Sequence, residues 1–209
     1  MFQNILSFIS HLDSNLVALT VSYGILIYPL VFLIIFAETG LVFAPFLPGD
    51  SLLFAAGAIS ASGMLNIFVL YFLLLLAAIL GDSVNYSIGK YFGQKIISNQ
   101  WVNYKYIEKT KNFYSKYGNK TIVISRFMPI VRTFAPFVAG IAKMDYKKFL
   151  SYNILGSFLW VTIFLSLGFF FGNIPFVKQH FSIVVFGIVF ISIIPAIVEF
   201  IRYKFSNKN

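Results

Sequence analysis

Four charged side chains lie inside two apolar stretches of this sequence, and the two stretches carry opposite signs. The first contains Glu38 and Asp50, and the second contains Arg126 and Arg132. A charge at the centre of a bilayer costs about 2.5–3.5 kcal/mol on insertion scales, so such charges rarely lack a partner. We therefore expect these four side chains to meet one another, water or a charged ligand. That meeting point is the predicted functional site.

The two arginines are candidates for phosphate binding. Arg126 and Arg132 flank Pro129, so a regular helical relation between them is not assumed. Two converging guanidiniums suit a phosphate monoester, which offers several oxygens to their forked donors. The alternative is a structural ion pair with Glu38 or Asp50. Both roles are compatible if the acids hold the arginines until a phosphate displaces them.

The two acids are candidates for proton coupling. A carboxylate in a low-dielectric site beside an arginine can take up a proton on one side of a membrane and release it on the other. Glu38 and Asp50 would in this way link substrate release to a proton gradient. For Asp50, which follows Pro48 and Gly49, the alternative is a cap on the second arm of its stretch.

Three further polar residues are secondary candidates. Asp82 could extend the polar path, but pairing with a lysine at the membrane surface is the simpler interpretation. Tyr86 is expected to be a packing or interfacial aromatic. Asn153 shares a helix face with Gly156 and Trp160, which favours packing with one interhelical hydrogen bond.

Catalytic and metal chemistry are not indicated. The chain has no cysteine and two histidines, which excludes disulfides and thiolate metal sites. His11 and His180 are distant in sequence from the acids and arginines, so we expect no bound metal and no cofactor. A phosphatase would need a nucleophile or metal beside the phosphate-binding arginines. The sequence therefore favours a protein that binds and moves a phosphate, and not an enzyme.

Composition places the site in a membrane protein. Of 209 residues, 59% are hydrophobic and 11% are charged, against about 25% charged in soluble domains. The net charge of +9 comes from basic residues in loops between apolar spans. This placement favours contact with anionic phospholipids over nucleic acid.

The predicted fold is a single all-α polytopic domain over residues 1–209. Four stretches are long enough to cross a bilayer: Leu16–Ala37, Asn66–Ile88, Phe149–Gly172 and Phe181–Ile201. The two charged stretches, residues 38–63 and 121–142, are broken by proline and glycine. Such breaks favour re-entrant hairpins buried against protein or lining a cavity.

Basic residues orient the predicted bundle. The lysine-rich segment 89–120 is interpreted as a cytoplasmic amphipathic segment, and residues 1–15 as an interfacial helix. Both termini then lie in the cytoplasm, and the two hairpins enter from opposite faces. Each hairpin runs charge, proline, charge and an Ala-Gly end, which is typical of an inverted-repeat transporter with its site between the repeats.

Several spaced motifs resemble those of the DedA family, whose relatives include the VTT-domain lipid scramblases of eukaryotes. They are the E-x11-D that ends in PFLPGD, G-D-x3-Y-x2-G-K-x2-G from Gly81, S-R-F-x-P-x2-R-T from Ser125, and N-x2-G-x3-W from Asn153. The resemblance covers about residues 25–200. No one motif is decisive, but their order and spacing together are specific.

This resemblance implies a bacterial inner-membrane protein with two re-entrant hairpins. It also implies transport linked to the proton motive force, with undecaprenyl phosphate recycling as the activity of bacterial members. The essential acidic pair of the family maps onto Glu38 and Asp50, and its essential arginine pair onto Arg126 and Arg132.

The function expected from the sequence is a flippase that moves a polyprenyl phosphate from the outer to the cytoplasmic leaflet. A proton-coupled antiporter for small cations or drugs is the first alternative, with the acids binding cargo. A non-transporting scaffold is the second. Cargo range, coupling stoichiometry and assembly into a homo-oligomer stay open.

Overall fold

The computed structural model describes residues 24–41, 49–98, 104–172 and 174–175. Within these ranges the chain forms helices joined by turns, and none of the described residues is in a strand. The predicted all-α class is confirmed. The predictions for residues 1–15 and for the span Phe181–Ile201 fall outside the described residues.

The described ranges contain seven α-helices. They are α1 (Ile27–Gly40), α2 (Gly49–Ala61), α3 (Ile67–Ser98), α4 (Tyr104–Tyr117), α5 (Thr121–Ser125), α6 (Pro129–Ile141) and α7 (Tyr146–Phe171). A 3-10 turn precedes α1, and another follows α4.

Helices α3 and α7 are long and apolar enough to cross a membrane, with mean hydropathy of 2.4 and 2.1 over their most apolar segments. Along α3, every fourth side chain from Phe68 to Val84 is apolar and exposed. Such a continuous apolar stripe fits contact with lipid. The predicted span ended at Ile88, but α3 continues to Ser98, so residues 89–98 belong to this helix and not to a separate surface segment.

Each broken stretch joins two helical arms, although the first arm of the first stretch, α1, begins within the predicted span Leu16–Ala37. In the first, α1 ends at Gly40 with Glu38 in its last turn, and α2 begins at Gly49. In the second, α5 ends at Ser125 and α6 begins at Pro129, whose fixed φ suits the first residue of a helix. Re-entry of these arms into the membrane stays a prediction.

Helices α2 and α7 pack with their backbones in close contact. A Cβ at Gly57 of α2 would overlap the carbonyl oxygen of Leu165, and a Cβ at Gly168 of α7 would overlap that of Phe54. Both helices therefore need glycine at these positions, because a side chain would force them apart.

Helices α3 and α6 repeat this arrangement. A Cβ at Gly140 of α6 would overlap the carbonyl oxygen of Tyr86, and one at Gly89 of α3 would overlap that of Phe137. In both helix pairs each glycine faces a carbonyl three residues before the partner's glycine. The second arm of each broken stretch thus packs on the long helix of the other half of the chain.

The rest of the core surrounds these helix pairs. Ile35, Leu53, Leu70 and Val161 from α1, α2, α3 and α7 form one buried apolar cluster. Helix α4 is amphipathic: Ile107 is fully buried in the cluster formed with α3 and α6. The amphipathic part of the predicted segment 89–120 is therefore α4, which packs against α6.

Candidate functional site

Arg132 bridges both acids of the first broken stretch. Its Nη2 lies 2.9 Å from Oε2 of Glu38, and its Nη1 lies 3.1 Å from Oδ1 of Asp50. The side chains of Arg132, Glu38 and Asp50 are 10%, 9% and 18% exposed. The end of α1, the start of α2 and the first turn of α6 therefore meet at one ionic cluster.

Gly49 makes room for this cluster. A Cβ at Gly49 would occupy the place of the Glu38 carboxylate, which accepts a hydrogen bond from the Gly49 backbone. The N-terminus of α2 also carries a partial positive charge that favours a carboxylate nearby. The glycine of the PGD sequence is thus required by the acid eleven residues before it.

Trp160 of α7 completes the cluster around Arg132. Its Nε1 donates a hydrogen bond of 2.8 Å to Oδ1 of Asp50, and its ring centre lies 3.9 Å from the guanidinium carbon of Arg132. The indole is fully buried, which strengthens such a cation–π contact. Sequence reasoning treated Trp160 as a packing residue, although its helical spacing from Asn153 placed both on one face.

Arg126 forms a second ionic pair deeper in the fold. It is 3% exposed, and its Nη2 donates to Oδ2 of Asp82 and, at 2.8 Å, to Oδ1 of Asn153. The expected pairing of Asp82 with a surface lysine is therefore wrong. Asp82 is buried, and an arginine from the other half of the chain is its counter-ion.

Two nitrogens of Arg126 have no hydrogen-bond partner within the described ranges. Nε and Nη1 are buried and make no hydrogen bond to the described residues. Gly156 lies against the side chain, with Arg126 Cδ and Nε 3.1 and 3.2 Å from where a Cβ would be. Asn153 is held in place, since its Nδ2 donates to the Ile79 carbonyl at 3.0 Å. The site therefore presents fixed, unsatisfied donors, which suit an anionic ligand.

Asn85 joins the two broken stretches beside the charged residues. Its fully buried amide donates to the carbonyl of Thr39 at 3.1 Å and to that of Thr133 at 2.9 Å. These residues directly follow Glu38 and Arg132, so one amide fixes both backbones at the ion pair. Sequence reasoning missed Asn85, because nothing in its spacing shows which carbonyls it would reach.

Tyr86 lies outside the ionic cluster. Its hydroxyl donates to the Met144 carbonyl, and its ring stacks on Phe149 with centres 4.5 Å apart. The side chain is 2% exposed. Tyr86 therefore packs inside the protein, and among the described residues it makes no hydrogen bond to Glu38, Asp50 or the two arginines.

The ionic cluster and the Arg126–Asp82 pair together contain three carboxylates and two guanidiniums, each in contact with a group of opposite charge. Both guanidiniums approach the same indole, with Arg126 Cζ 5.7 Å from the ring centre. Such a site can bind an oxyanion by exchanging carboxylate oxygens for ligand oxygens. In the part of the chain that the structure describes, no three or more acids or histidines are placed so that together they could hold a metal ion.

Comparison with known proteins identifies the family. The VTT domain family model matches residues 47–170. Protein DedA of Escherichia coli (strain K12) is 49% identical over 205 residues, covering 96% of this chain and 94% of that protein. This chain belongs to the DedA family. The resemblance carried by the spaced motifs is confirmed.

Other relatives of this DedA-family chain are named as membrane proteins. Inner membrane protein YghB of Escherichia coli (strain K12) is 35% identical over 74% of this chain and 72% of its own length. Uncharacterized membrane protein Rv0364 of Mycobacterium tuberculosis (strain ATCC 25618 / H37Rv) is 38% identical over 90% of this chain and 84% of its own. No solved structure matches the chain. The predicted membrane location is supported by these relatives and by the two apolar helices α3 and α7.

Proposed function

We propose that this DedA-family protein is a flippase for a polyprenyl phosphate, most simply undecaprenyl phosphate, in the bacterial inner membrane. The observation that carries the proposal is the gathering of two arginines, Arg126 buried and Arg132 partly buried, on one tryptophan, Trp160. One of them, Arg126, has two donor nitrogens that make no hydrogen bond to any residue the structure describes. A phosphate headgroup satisfies such donors, while its polyprenyl tail stays in the lipid.

The carboxylates on Arg132 support a displacement mechanism. Glu38 and Asp50 each place one oxygen on a different terminal nitrogen of Arg132, as two oxygens of a phosphate would. Protonation of either acid weakens its ion pair and frees that nitrogen for the phosphate. Proton uptake from the outer side and release inside would then drive the headgroup toward the cytoplasmic leaflet.

The pairing of the acids favours this function over cation antiport. Among the described residues of the site, Glu38, Asp50 and Asp82 each contact an arginine. A cation would have to compete with a guanidinium for each carboxylate. A phosphate instead competes with a carboxylate for each guanidinium, and protonation of that carboxylate favours the phosphate.

The reciprocal glycine contacts support the proposed inverted repeat. Gly57 and Gly168 join α2 to α7 in the same way as Gly140 and Gly89 join α6 to α3. Hairpins related in this manner would enter from opposite faces and open the site alternately. The exposed lysines of α4 would contact anionic headgroups at the cytoplasmic surface.

A reconstituted flip assay tests the proposal. Purified protein in liposomes should move a fluorescent polyprenyl phosphate between leaflets, and it should not move the corresponding polyprenol. Arg132→Gln should reduce the rate at least about 100-fold, because a charged donor pair to phosphate is lost. Lys147→Ala, an exposed basic residue, is the control and should retain the wild-type rate.

Two outcomes would refute the proposed function. The first is equal movement of the phosphate lipid and the polyprenol. The second is a wild-type rate in folded Arg132→Gln protein. Dissipation of an imposed pH gradient by small cations, without lipid movement, would favour the antiporter instead.

A further inference from the structure

One oxygen at the site receives two hydrogen bonds from different helices. Oδ1 of Asp50 accepts from Arg132 Nη1 at 3.1 Å and from Trp160 Nε1 at 2.8 Å. The indole N–H can only donate, and Trp160 is fully buried. This oxygen therefore lies at a position already prepared for an anionic acceptor.

Displacement of Asp50 has a consequence for Trp160. If the carboxylate leaves Arg132, the indole N–H loses its acceptor within a buried site, which is strongly unfavourable. A ligand that takes over Arg132 must therefore also supply an acceptor to Trp160. A phosphate can do so with a second lone pair on the same oxygen or with a neighbouring oxygen.

We infer that Trp160 is a substrate-binding residue: its Nε1 donates to the phosphate oxygen that replaces Oδ1 of Asp50 on Arg132. This inference rests on the proposed function and adds Trp160 to the two arginines as a third hydrogen-bond donor to the phosphate. The donor is fixed in position, since the indole stacks under Arg132 at 3.9 Å and packs edge-on against Phe164 at 6.4 Å. Trp160 would thus favour ligands with an acceptor at this point, such as phosphate monoesters.

A double-mutant cycle separates substrate binding from mere support of Asp50. Binding of farnesyl phosphate to the full chain in nanodiscs is measured by calorimetry for Trp160→Phe, Asp50→Ala and the double variant, with farnesol as the ligand control. Phenylalanine keeps an aromatic ring beside Arg132 and removes the N–H. In the Asp50→Ala background, Trp160→Phe should still weaken binding by about 10- to 100-fold, as expected for a hydrogen bond to a charged group.

The opposite result overturns the inference. If Trp160 only orients Asp50, Trp160→Phe should have no effect on affinity once Asp50 is alanine. In that outcome the proposed function still stands if the wild type binds farnesyl phosphate and Arg132→Gln does not. Failure of the wild type to bind farnesyl phosphate refutes both.

A second measurement avoids dependence on the folding of Trp160→Phe. The chain has two tryptophans, so Trp101→Phe leaves Trp160 as the only indole. Exchange of its carboxylate acceptor for a phosphate should shift or quench its fluorescence on addition of farnesyl phosphate, and farnesol should not. Unchanged emission at saturating farnesyl phosphate would overturn the assignment.

Discussion

The buried pair between Arg126 and Asp82 gives a quantitative prediction for stability. The two side chains are 2% and 6% exposed, so replacing Asp82 with alanine leaves an almost fully buried guanidinium without its counter-ion. Breaking a buried pair from one side costs about 3–5 kcal/mol. That is a large share of the roughly 5–15 kcal/mol that stabilises a typical domain. Asp82→Ala should therefore lower the free energy of unfolding by about 3–5 kcal/mol.

The sign of this effect should reverse when both partners are replaced. The double variant Arg126→Met with Asp82→Val removes both charges and keeps the total side-chain volume similar. Replacement of a buried pair by packed apolar residues is about neutral or stabilising by about 1–4 kcal/mol. The double variant should thus be at least as stable as the wild type, while the proposed lipid transport should be lost because Arg126 is absent.

Unfolding in detergent micelles with increasing SDS, followed by circular dichroism, measures these differences. Glu108→Ala on the exposed side of α4 is the control and should change stability by less than about 0.5 kcal/mol. If Asp82→Ala matches this control, the pair is not a desolvated ion pair and the argument from burial is wrong. A double variant less stable than Asp82→Ala would also contradict it.

Four further predictions concern separate features. Asn85→Leu should lower stability by about 2–4 kcal/mol in SDS unfolding, because two buried carbonyls lose their donor. Equal stability would contradict the role of Asn85 in joining the two broken stretches. Gly89→Ala should cost about 1–3 kcal/mol by forcing α3 from α6, while Ser87→Ala should change stability little. Glu38→Gln should leave farnesyl phosphate binding intact but remove the pH dependence of flipping, and retained dependence would assign coupling elsewhere. Burial raises the pKa of Tyr114 above its ordinary value, so stability in SDS unfolding should fall above about pH 10, where the unfolded tyrosine ionises first, and Tyr114→Phe should reduce that fall.

The sequence was sufficient to predict that the charges meet, but not how they pair. Glu38 and Arg132 both lie in apolar stretches, where burying either charge alone would be too costly. In the structure the two are in contact. The choice of Asp82 as the partner of Arg126 depends on how α3 and α5, which Arg126 follows, both pack on α7. Hydropathy shows only that Asp82 lies near the end of an apolar segment, so a nearby lysine was the simpler expectation.

The C-terminal end of helix α3 could not be predicted from hydropathy either. Its apolar run ends near Lys90, which indicated the end of the span, whereas Gly89 and Gly93 continue the face that packs on α6. Trp160 packs in the core and makes an interhelical hydrogen bond, as its spacing predicted, but its contact with Arg132 could not be predicted. Its helical spacing is equally consistent with packing and with a site, and only the position of Arg132 and Asp50 around it distinguishes the two.

The crossed packing of the helix pairs also has a consequence for biogenesis. Asp50 and Glu38 reach Arg132 across 82 and 94 residues of sequence, and α2 reaches its glycine contacts only once α7 exists. At about 5–20 residues per second, the acids leave the ribosome several seconds or more before their counter-ion. During that interval two carboxylates must be kept in water, carry protons, or be shielded by the insertion machinery. Assembly of this protein should therefore be most sensitive to whatever receives the nascent first half.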